Sequence, residues 1–84
     1  MKSKKEIAWE NADIAKGKNP NVYRKDAYGN IIYKSSYGLK SEMGWEIDHK
    51  HPKADGGTDN PRNLQAVQWE ENRKKSDKYP YKKK

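Results

Sequence analysis

Only nine of the 84 residues are Leu, Ile or Val and none is Phe or Cys, whereas three are Trp and six are Tyr. Any core must therefore be thin and built around indole and phenol rings, each of which buries a large area. So few aliphatic residues beside 37% charged residues would otherwise describe a disordered chain. The aromatic residues argue for a small folded unit instead, and the length allows one domain. We expect residues 1–78 to form that domain, with a core motif at 45–77 and a basic tail at 79–84. Without cysteine, neither a disulfide nor a thiolate zinc site is available. The remaining staples are aromatic packing and a metal held by oxygen or imidazole.

The net charge of +7 is concentrated at one end. Arg73, Lys74, Lys75, Lys78, Lys82, Lys83 and Lys84 against Asp77 alone place +6 of it in residues 73–84. Such a segment suits phosphate binding through counterion release, and it equally suits a solubilising tail. The N-terminal residues have no signal-peptide pattern, and nowhere do about 18 apolar residues run together. The expectation is a soluble cytoplasmic protein without a membrane partner.

Ser3-x-x-Glu6 has the form of a capping box, and Ile7, Ala8, Ala12 and Ala15 follow at helical spacing, which predicts a helix ending near Gly17. Val22–Lys25 and Ile31–Lys34 flank Tyr28-Gly29-Asn30 and read as a hairpin. Trp45-Glu46-Ile47-Asp48-His49 alternates, with apolar side chains on one face and acids on the other, as in a half-buried strand. Residues 53–61 are too rich in Gly, Asp and Pro to be regular and predict a loop, Leu64–Gln68 a returning strand, and Trp69–Asp77 a helix. Glu70 and Glu71 in its first turn and Arg73, Lys74 and Lys75 near its end complement the macrodipole. Pro80 prevents continuation, and the Lys-rich end is expected to fray. Trp9, Trp45 and Trp69 are expected in the core, because the chain has little else to bury.

The fold class that follows is α+β: a short helix and a hairpin, then strand, loop, strand and helix. Within the second part the chain carries Asp48-His49, then Asn63, then Asn72, in the pattern D-H-x13-N-x8-N. Together with Pro52, Gly56-Gly57 and Arg73-Lys74-Lys75, this text resembles the HNH endonuclease family and its ββα-metal core. Cutting a phosphodiester requires a nucleophilic water, neutralisation of charge at phosphorus and stabilisation of the departing alkoxide. One imidazole, mostly unprotonated at neutral pH, and one metal ion can supply these. A carboxylate beside a carboxamide offers hard oxygen ligands, which suit Mg²⁺ or Mn²⁺, with Zn²⁺ or Ni²⁺ as further options.

The resemblance implies that His49 is the general base, that Asp48 and Asn72 hold one divalent cation, and that Asn63 braces the loop. It further implies DNA as substrate, with RNA left open, and 5′-phosphate and 3′-hydroxyl products; a single site suggests nicking. Lys75 and Arg73 are candidates for phosphate contact, and His51 either adds a third metal ligand or points outward. The chain departs from many relatives in lacking two CxxC pairs that hold a structural zinc, so the N-terminal aromatic residues are expected to replace that staple. It departs from the colicin type in carrying Asn72 where a helix histidine would bind metal. The competing reading is a non-catalytic nucleic-acid-binding or accessory module of the same fold, working with a larger protein partner. Sequence specificity and oligomeric state are not legible.

Overall fold

The computed structural model describes residues 1–76 and 78–82. Helix α1 (Lys4–Asn11) begins with the expected reciprocal cap: Ser3 Oγ accepts from the Glu6 amide at 3.1 Å, and Glu6 Oε1 accepts from the Ser3 amide at 3.3 Å. It ends at Asn11 rather than near Gly17, which corrects the sequence reading. The causes are long-range. The Arg24 guanidinium donates to the carbonyls of Glu10 and Ala12, both at 3.2 Å, and Trp9 Nε1 donates to the Pro20 carbonyl at 3.0 Å. Asp13–Ile14 then extend as β1 and pair antiparallel with β2 (Tyr23–Lys25), which pairs with β3 (Ile31–Tyr33). The expected hairpin is therefore the larger part of a three-stranded sheet.

Strands β4 (Trp45–His49) and β5 (Leu64–Gln68) pair antiparallel, with Trp45 opposite Gln68 and His49 opposite Leu64. Residues directly opposite one another share a face. This register therefore puts Trp45, Ile47, His49, Leu64 and Ala66 on one side and Glu46, Asp48, Gln65 and Val67 on the other. The first side meets α1 in a core of Ala8, Trp9, Ile32, Trp45, Leu64 and Ala66, where the Trp9 and Trp45 ring centroids are 5.3 Å apart. Helix α2 (Trp69–Lys75) follows β5 directly and covers the second side with polar side chains. Its start is capped by Gln68, whose Oε1 accepts from the Glu71 amide at 3.0 Å. Trp69 is only half-buried and donates to the Ser41 carbonyl, so two of the three indoles, not three, form the core. The architecture is α+β, with strand, strand and helix forming the second half.

A second staple lies outside the aromatic core. Asp26, 1% exposed, accepts at Oδ1 from the amides of Tyr28 and Asn30 and at Oδ2 from Asn30 Nδ2 and the Gln68 amide, all at 2.8–3.0 Å. A buried carboxylate is costly unless its oxygens are hydrogen-bonded. Here four donors satisfy it, and one side chain ties the β2–β3 turn to the junction of β5 and α2.

Helix α2 ends at Lys75, with Ser76 at φ 46°; the expected last residue, Asp77, lies outside the described residues, as do Lys83 and Lys84 of the basic tail. Two of the described tail residues, Tyr79 and Tyr81, pack against the rest of the domain. The Tyr81 hydroxyl donates to Glu71 and its ring meets Tyr28 edge-on, while Tyr79 stacks on His51 with centroids 4.3 Å apart. Among the described residues no helix is long and apolar enough to cross a membrane.

Candidate active site

Asp48 and His49 are consecutive in β4, so their side chains leave on opposite faces of the two-stranded sheet. His49 emerges on the side of α1, at the end of the strand, and is a quarter exposed. Its Nε2 lies 2.7 Å from Asp59 Oδ1. The other oxygen of Asp59 is held by Lys4 Nζ, from the first turn of α1, and by Lys53 Nζ, each at 3.1 Å. Hydrogen bonds from His49, then Lys53 and Lys4, hold the Asp59 carboxyl well below the ordinary carboxylate range.

Asp59 reaches this position because the connecting loop is folded, not loose. Two single 3-10 turns, Lys53–Asp55 and Pro61–Asn63, bracket it, where the sequence predicts only irregular chain. Gly56 closes the first turn at φ 93°, a conformation that side chains other than glycine rarely adopt. A Cβ on Gly57 would lie 1.7 Å from the His51 carbonyl oxygen, so only glycine fits. The Asn63 carboxamide spans the loop: Oδ1 accepts from the His51 amide at 2.8 Å, and Nδ2 donates to the carbonyls of His51 at 3.0 Å and Thr58 at 2.7 Å.

On the opposite face, Asp48 Oδ2 accepts from Gln65 Nε2 at 2.9 Å and pairs with Lys75 Nζ at 3.1 Å. Lys75 is 1% exposed and also donates to the His49 carbonyl at 3.1 Å. The expectation that Lys75 reaches out to a phosphate is therefore corrected. Helix α2 lies against the acidic face of β4, which turns this ammonium inward to neutralise Asp48. One helical turn earlier, Asn72 Nδ2 donates to Glu46 Oε1 at 2.9 Å, and Arg73 grips both oxygens of Glu46 at 2.6 and 2.8 Å. Burial alone would push the Glu46 carboxyl up, but the Asn72 and Arg73 hydrogen bonds outweigh it and hold the group below its ordinary value. Arg73 remains half exposed beyond this pair.

Asp48 and Asn72 thus lie along one seam between β4 and α2. Asp48 Oδ1 and Asn72 Oδ1 accept no hydrogen bond among the described residues. A carboxylate oxygen and a carboxamide oxygen are hard donors and fit a hard divalent cation. His51 does not join them: its Nε2 faces Asp55 at 3.3 Å and its ring is covered by Tyr79, which favours the outward-pointing alternative. Among the described residues no group of three or more His, Cys, Asp or Glu side chains is placed to hold a metal ion.

Five site residues escape the sequence reading: Asp59, Lys53, Glu46, Gln65 and Lys4. Glu46 and Gln65 carried a usable signal, since strand alternation puts both on the face of Asp48. Asp59, Lys53 and Lys4 carried none, because loop folding brings Asp59 to His49 and Lys53 to Asp59, and helix docking brings Lys4 to Asp59 from 55 residues away.

No curated protein and no solved structure matches the chain. The family model for the HNH endonuclease matches residues 35–78, just over half of the 84 residues, and spans β4, the folded loop, β5 and α2. With this match and a strand–strand–helix core that sets an Asp-His pair at a strand end, the chain belongs to the HNH endonuclease family.

Proposed function

We propose that the protein is a metal-dependent endonuclease that hydrolyses DNA phosphodiesters, with His49 as general base and a divalent cation held by Asp48 and Asn72. HNH nucleases typically use a divalent metal, and HNH domains generally bind nucleic acid. The observation that carries the proposal is the division of labour at the end of β4. One face offers an imidazole anchored by a carboxylate, and the other offers two hard oxygens, those of Asp48 on β4 and Asn72 on α2. A phosphodiester laid across the strand end meets both.

In this reading His49 takes the proton from the attacking water while Asp59 faces its far nitrogen. Asp48 and Asn72 would hold the cation, and Mg²⁺ or Mn²⁺ bound there would supply Lewis-acid stabilisation of the departing 3′ oxygen. Gln65 and Lys75 hold Asp48 in place from the other side. Arg73 and the exposed Lys50, Lys53 and Arg62 give phosphate contacts that fix register without reading sequence. With one such site per chain, nicking is the expected outcome.

The second reading, a nucleic-acid-binding or accessory module without cleavage, has one observation on its side. Lys75 already neutralises Asp48 at 3.1 Å, as a bound cation would. An amide NMR titration with Mg²⁺, Mn²⁺ and Zn²⁺, paired with a supercoiled-plasmid assay at each ion, separates the two. Shifts centred on Asp48 and Asn72 with the appearance of nicked circles are the expected result. Salt-dependent DNA binding with intact plasmid at every ion would instead establish the binding module.

A further inference from the structure

We propose that Asp59 is the positioning residue for His49: its carboxylate binds the Nε2 hydrogen of the imidazole and leaves Nδ1 as the nitrogen that faces water. The inference deepens the proposed reading of His49 as base and rests on it for its catalytic meaning.

The argument is one of donors and acceptors. Lys4 and Lys53 both bind Asp59 Oδ2 at 3.1 Å, so two ammonium groups stand beside the carboxylate and Oδ1 is left to face the ring. An ionised carboxylate only accepts, so the nitrogen at 2.7 Å from it must carry the hydrogen. A neutral imidazole has one N–H, and placing it on Nε2 puts the lone pair on Nδ1. The choice of nitrogen is thus made outside the ring, by a residue 10 positions away in sequence.

The arrangement is rigid where it needs to be. Asn63, the last residue of the loop, binds His51 near its start and Thr58 within it, and Thr58 precedes Asp59 directly. Asn60, the residue after it, caps the second turn by accepting from the Arg62 amide at 2.9 Å. The third support comes from outside the segment that matches the family. Lys4 lies on α1, well before residue 35, so the N-terminal helix enters the reaction centre through a single ammonium group. Exposed ion pairs of this kind add little to stability. Their contribution here is orientation.

The test uses the full chain and its two histidines. Long-range ¹⁵N–¹H spectra of the imidazole rings at neutral pH report the tautomer of each, with His51, paired to Asp55, as the internal reference. The parent is expected to show His49 with its hydrogen on Nε2. Asp59→Ala should convert His49 to a mixture of tautomers without moving His51, and Asp59→Glu should restore part of the Nε2 form. In the plasmid assay Asp59→Ala should lower kcat by ~10-fold or more, within what a positioned base supplies, and leave KM close to the parent value. A parent His49 protonated on Nδ1, or an Asp59→Ala protein whose His49 keeps the Nε2 form, would overturn the proposal. If the tautomer responds as expected but the parent cuts nothing at any ion, the pairing stands and the reading of His49 as base is what fails.

Discussion

Replacing His49 by alanine is expected to slow plasmid nicking by about 10²–10⁴-fold, the range that a positioned general base contributes. The fold should survive the change. His49 occupies the last position of β4, a quarter of its side chain is exposed, and its side-chain hydrogen bond is to a loop residue. Its structural duty is performed by the backbone: Lys75 donates to the His49 carbonyl, which alanine retains. Thermal unfolding of the variant should therefore lie close to the parent curve while single-turnover cleavage collapses. Parent-rate cleavage by a rigorously purified His49→Ala protein would remove the base assignment altogether.

Trp45→Ala should have the largest effect on stability. The indole is fully buried, donates to the Tyr33 carbonyl at 3.0 Å, and packs against both Trp9 and Tyr37. It sits in the cluster where Trp9 of α1, Ile32 of β3 and Leu64 of β5 meet, and it is the largest fully buried side chain there. Truncating a buried tryptophan costs about 3–5 kcal/mol. A domain of this length holds about 4–13 kcal/mol in all, at 0.05–0.15 kcal/mol per residue. Urea unfolding followed by circular dichroism should show a midpoint shifted strongly downward or no native baseline. Trp69→Ala serves as the comparison, since that indole is only partly buried, lies outside the core cluster and donates to the Ser41 carbonyl. Equal losses for the two variants would mean that the core is not centred where the packing puts it.

What could be read from sequence was what neighbours in the chain decide. The alternation of Trp45 to His49 fixed the faces of β4, and the charge order of residues 69–75 fixed the direction of α2, because both depend on residues within a turn or a pleat of one another. The end of α1 at Asn11 is not legible in the sequence for the opposite reason. Its C-terminal carbonyls are taken by Arg24, and the residues after it are recruited by β2. Neither partner is visible from the spacing of Ala12 and Ala15. Lys75 is the sharper case: on an isolated helix it would be a solvated cation, and only the acidic face of β4 makes burial favourable. Loop compaction hid Asp59 in the same way, since composition marks a turn-rich segment without saying which side chain it delivers to which strand.

The carboxylate of Asp26, holding the β2–β3 turn to the start of α2 with four hydrogen bonds, has a practical corollary for enzymology. A scaffold tied by an organic side chain is indifferent to chelators and to thiol reductants. On the proposed reading, a cation held by Asp48 and Asn72 can then be stripped, exchanged or titrated without unmaking the fold, and any activity lost and regained would report on the chemistry of that centre rather than on refolding.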